Sequence, residues 1–150
     1  LSVFASTLWL FAEEALEGVA DTWARIGAPL AAATVVAYNL AFLTTTGYVR
    51  PVLGALAAAS ILGWFAWAVG LARGRAVSVP MWGLLAALAT SVTGGILGVL
   101  YGILIASSGD AKVLPSGGED AHPATMVVGF LVPVGMAVGG GGLPALGAPA

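Results

Sequence analysis

"PMWGLLAALATSVTGGILGVLYGILIA", residues 80–106, contains no charged side chain. Wound as an α-helix at ~1.5 Å per residue, it is about 40 Å long, more than the ~30 Å of a bilayer's hydrocarbon core. Its apolar residues run without alternation and for too long to be barrel strands. Backbone facing lipid must satisfy its own hydrogen bonds, which leaves the helix as the only option. The expected fold is therefore all-α, a polytopic transmembrane helix bundle.

The rest of the chain agrees. Of 150 residues, 59% are apolar and only 8% charged, and the mean hydropathy is +1.01. A water-soluble domain carries about 25% charged residues to wet its surface. Here lipid must be the medium around most of the surface. Two further full spans precede the long one, at 28–46 (opened by Pro29) and 51–72. A last apolar run, 123–138, is short for a span and has Pro133 inside it. The spans at 28–46, 51–72 and 80–106, with this partial helix, form the transmembrane region 28–138.

The two ends read differently. Residues 1–12 are apolar but too short to cross, and Glu13, Glu17, Asp21 and Arg25 then recur every four residues. That spacing lines one face of a helix, so 1–27 reads as a truncated or amphipathic interfacial helix. The segment 139–150 reads as a flexible, low-complexity tail. Opening on Leu1 and closing on this tail, the chain reads as a fragment.

Orientation follows the basic residues of the short loops. Arg73 and Arg75 put loop 73–79 in the cytoplasm of a bacterial cell inhabiting its inner membrane. Arg50 and the 107–121 loop then lie outside. The net charge of −2 comes with no basic tract, so nucleic acid is not a partner. The expected partners are membrane lipid and other transmembrane helices or subunits. The absence of cysteine rules out disulfides and thiolate metal sites.

Few residues can carry chemistry. Gly94, Gly98 and Gly102 are spaced by four, with Gly95 beside them, so one helical face has no bulk. The plain reading is close helix packing; the sharper one is a groove for a porphyrin, quinone or lipid. Asn39 is an intramembrane polar group that needs a partner, ordinarily a carbonyl or hydroxyl on a neighbouring helix, with a transport or ligand role as the alternative. Interfacial belting accounts for Trp67 and Trp82.

His122 is the one histidine. It stands where an acidic, glycine-rich loop meets the last apolar run. Pro123 is suited to a first helical position, so Asp120 or His122 would cap a helix starting there. The alternative is a ligand role, cofactor-binding or metal-binding, since imidazole commonly ligates haem and metals. Zinc fails on ligand count, and no hydrolase elbow occurs.

The order "TSVTGGILGVLYGIL", then "PSGGED", then "AHPATMVVGF" resembles a segment of the haem–copper oxidase catalytic subunit and of NnrS-type membrane proteins. The matching positions are Ala121, His122, Gly129 and Phe130. The resemblance implies haem as a possible cofactor, a respiratory or redox role, and His122 as an axial ligand. Relatives often have a second histidine two residues on, where Ala124 stands here. Met126 lies one turn along the same helix and cannot reach the opposite haem face. The other class of function is a non-catalytic membrane subunit or small-solute transporter, with Asn39 and the glycine face shaping packing or a path.

Overall fold

The computed structural model describes residues 18–74 and 76–147, with side chains over 22–74, 76–118 and 120–140. Among the described residues every regular element is helical. In chain order they are α1 (Gly18–Thr44), α2 (Val49–Ala72), α3 (Val79–Ser108), a 3-10 turn (Ala111–Val113), α4 (Gly118–Met126), a π turn (Val127–Leu131) and α5 (Val132–Gly147). Residues 1–17, and with them Glu13 and Glu17, lie outside the described residues.

Four helical stretches are long and apolar enough to cross a membrane: Thr22–Thr44, Val49–Ala72, Val79–Ser108 and Asp120–Gly140. Their mean hydropathies are 1.7, 1.9, 1.9 and 1.6. Their outer faces carry bare hydrocarbon: Leu43 is 79% exposed, Val79 85% and Met136 72%. A surface like this is stable only against lipid, and the protein is membrane-embedded.

The prolines do not bound helices as the sequence leads one to expect. Pro29 lies inside α1, which begins at Gly18 and joins the amphipathic stretch to the first span. Proline removes one donor from a helix already propagating, and the helix carries on through it. Pro123 likewise lies inside α4. That helix starts earlier because Gly117, at φ +77°, turns the chain, and its carbonyl takes N–H bonds from Asp120 at 3.2 Å and Ala121 at 3.0 Å. His122 is thus a residue within the helix, not its cap. The last apolar run becomes a full-length span by this early start and by continuing past Val138. Helical backbone also runs through residues 139–147, where a flexible tail was expected.

Pro133 leaves a clear mark. It stands four residues after Gly129 and has no N–H to offer that carbonyl. The chain widens into the π turn just before it, and the Thr90 hydroxyl of α3, which shares its proton with the Ala86 and Ala87 carbonyls of its own helix, meets the Gly129 carbonyl. Gly129 allows the approach: a β-carbon there would lie 3.0 Å from Cβ of Thr90.

Packing is concentrated at one end. Leu84, Leu85, Ala87 and Leu88 of α3 meet Trp64 and Ala68 of α2, Ala31 of α1, and Val134 and Ala137 of α5. Leu84 and Leu88 are fully buried. Trp67, expected at the membrane interface, packs partly buried against this cluster, 4.6 Å from Trp64 between ring centroids. Trp82 stays 62% exposed.

Candidate functional site

Toward its C-terminal end, α3 changes composition from leucine to glycine, and two helices press against it. On one side a β-carbon at Gly95 would lie 3.1 Å from Cβ of Ala58, and one at Gly102 would lie 3.2 Å from Cβ of Pro51. These glycines seat α2. On the other side a β-carbon at Gly94 would lie 2.6 Å from Sδ of Met126, and one at Gly98 would lie 2.8 Å from Cε1 of His122. These glycines seat α4. The glycines singled out in the sequence thus divide between two neighbours, Gly94 and Gly98 meeting α4 and Gly102, with Gly95, meeting α2.

His122 is therefore a packed side chain with its ring against Gly98. Its Nδ1 lies 2.8 Å from the carbonyl oxygen of Gly94. A carbonyl only accepts, so Nδ1 carries the proton and donates. In the neutral ring this leaves the Nε2 lone pair available. A backbone carbonyl that fixes the tautomer in this way is also how many ligating histidines are oriented.

Between α1, α2, α3 and α4 lies a cavity of about 990 Å³. It is lined by Gly47 and Arg50 at the α1–α2 turn and by Gly109 and Gly118 beside the α3–α4 loop, so both turns lie at the same end of the bundle. It reaches inward past Gly98 and His122 to Ile61 and Ser91. Asn39 lines it too. Its Nδ2 donates to Val35 O at 2.8 Å, within its own helix and not to a neighbouring one.

Two lining residues escaped the sequence reading. Arg50 was used only for orientation. Its guanidinium carbon sits 5.0 Å over the Phe42 ring, and its buried Nε has no hydrogen-bond partner among the described residues. Ser91 is only 1% exposed, and its Oγ is also without a partner. Other intrahelical hydroxyls donate to a carbonyl three or four residues back, as Thr45, Ser60, Thr93 and Thr125 do. The one available signal for Ser91 was its place four residues before Gly95, continuing the small-residue face.

A haem can be tested against these residues. His122, with Nδ1 held by Gly94, fits as a single axial ligand. Met126 packs on the same side, against Gly94. Met81 belongs to the leucine-rich end, and Met136 is 72% exposed. Among the described residues His122 is thus the one candidate haem ligand, and no second one is placed opposite it. Among the described residues, no three His, Asp or Glu side chains gather to hold a metal ion.

No protein-family model, no curated protein and no solved structure matches the chain.

Proposed function

We propose that this chain is a membrane protein that holds a small apolar molecule, drawn from the bilayer, in the cavity between its helices. The observation that carries this is the cavity itself: about 990 Å³, lined by glycine, alanine and larger apolar side chains such as Ile61, Val99 and Met126, with His122 and a few other polar groups among them. Ligand sites in helical bundles combine an apolar wall with a small number of polar groups in this way. Lipid and neighbouring transmembrane helices are its partners, and segment 73–79 faces the cytoplasm of a bacterial cell membrane.

The test is native mass spectrometry of the detergent-purified chain incubated with hexadecanol. A one-to-one adduct is expected, and Gly98→Leu, which forces the His122 ring off its seat, should abolish it while circular dichroism shows the variant still helical. An adduct that survives in Gly98→Leu, or none in the wild type, removes the proposal.

The Nδ1–H of His122, held by Gly94, supports haem as a second reading, in which the cavity belongs to a redox protein and His122 would hold the group through Nε2. Haem would supply one-electron chemistry, while this chain would bind and orient it. Added haemin should then give a Soret band that disappears in His122→Ala. Without a band in the wild type, the haem reading ends and uptake of other apolar molecules stands or falls on the adduct experiment.

A further inference from the structure

The two sides of the cavity are in register. Gly102 faces Pro51 and Gly95 faces Ala58, so α2 and α3 run antiparallel, and each step forward along one is a step back along the other. On that register Arg50 lies level with Ile103, twelve residues from Ser91 along α3. The two are therefore about 18 Å apart along the helix axis. Both line the same cavity, one at its mouth and one at its inner end. Each also has a buried polar atom, Arg50 Nε and Ser91 Oγ, with no hydrogen-bond partner among the described residues. A buried donor left without an acceptor is costly, and more so when it is charged. Between them the wall includes Gly54, Ala58, Gly95 and Gly98, with Tyr38, Tyr101 and His122 also on the lining.

From this we infer that the ligand is a linear, two-ended amphiphile, with an anionic head against Arg50, an apolar body along the glycine wall, and a hydrogen-bond acceptor at its far end against Ser91. This rests on the proposal that the cavity takes up an apolar molecule, and it adds the chemistry of the two ends. Arg50 is held ready for an anion by its stacking on Phe42, which leaves its in-plane donors open. In the α3–α4 loop, Asp110 Oδ1 accepts the Lys112 N–H at 3.0 Å. At the inner end a hydroxyl, carbonyl or ether oxygen would take the proton that Ser91 gives to no carbonyl of its own helix.

Three probes of equal chain length separate the ends: hexadecanol, hexadecanoate and ω-hydroxyhexadecanoate, titrated against the full chain in detergent with bound fractions read by native mass spectrometry. Hexadecanoate should bind roughly tenfold tighter than hexadecanol, and the ω-hydroxy acid several-fold tighter again. Arg50→Gln should erase the first preference and keep the second. Ser91→Ala should erase the second and keep the first. Because each variant is read as a ratio between probes, a general loss of folded protein does not mimic either result. If the three probes bind alike in the wild type, or if either variant keeps the preference assigned to it, the two-ended ligand is refuted while apolar uptake stands. If none of them binds, hexadecanol included, both fall.

Discussion

The two halves of α3 face opposite problems. From Met81 to Leu88 the helix fills space, with Leu84 and Leu88 fully buried among Trp64, Ala68 and Ala137. From Ser91 to Gly102 it vacates space, and the bundle around it is hollow. Neither half differs from the other in hydropathy enough to interrupt the span. The difference lies in volume. Close approach of backbones, given by glycine, brings α2 and α4 against α3, yet the missing side chains leave the interior between them unfilled. A membrane bundle can thus be solid at one end and open at the other without any change in polarity.

The contrast can be broken from the solid end first. Leu88→Ala removes a side chain that is 1% exposed. It should cost about 2–5 kcal/mol of unfolding free energy in detergent, as buried leucine truncations do, whereas Leu100→Ala, on the outer face, should be nearly silent. Next is Gly98→Ala. The added methyl would lie 2.8 Å from the His122 ring, which is tied to Gly94, so the ring must move. A loss of about 1–3 kcal/mol is expected. Gly63→Ala is the control: nothing lies within 4 Å of its β-carbon position, so helix propensity alone should make it neutral or slightly stabilising.

Thr90 marks the border between the halves. Thr90→Val keeps the shape and removes the donor to Gly129, with an expected loss of about 1 kcal/mol. In a Pro133→Ala background, where the helix recovers its own N–H, that loss should shrink to near zero in a double-mutant cycle. The smallest effect expected is Ser91→Ala in the ligand-free protein. Removing an unpartnered buried hydroxyl should raise stability by about 0.5–1 kcal/mol, read as a higher melting temperature. A destabilised Ser91→Ala would mean that the hydroxyl already has a partner.

Much of the fold was legible because hydropathy needs no tertiary context. Any charge-free run as long as 80–106 announces a span. The glycine spacing was legible too, as a property of one helix. What the spacing could not convey was that it serves two neighbours, or that His122 and Met126 are what it receives. Those contacts join residues far apart in the chain. The helix starts were misjudged for a local reason: Pro29 and Pro123 are tolerated inside helices, and the turn at Gly117 takes over the role expected of Pro123. Ser91 stayed hidden because a serine in a membrane helix ordinarily bonds back to its own turn, and no neighbouring residue reveals that this one does not.

The glycines that receive α4 raise a matter of uniqueness. Gly94 and Gly98 stand one helical turn apart, so they are rungs of nearly equal shape. A slip of α4 by about 5.4 Å along α3 would exchange one rung for the next. Repetition alone offers no reason to stop at either of them. Thr90 adds a contact outside the repeat, its hydroxyl meeting the Gly129 carbonyl in the same arrangement that rests His122 on Gly98. One threonine, placed beyond the end of the ladder, thus gives the pairing of these helices a mark that the glycines alone do not carry.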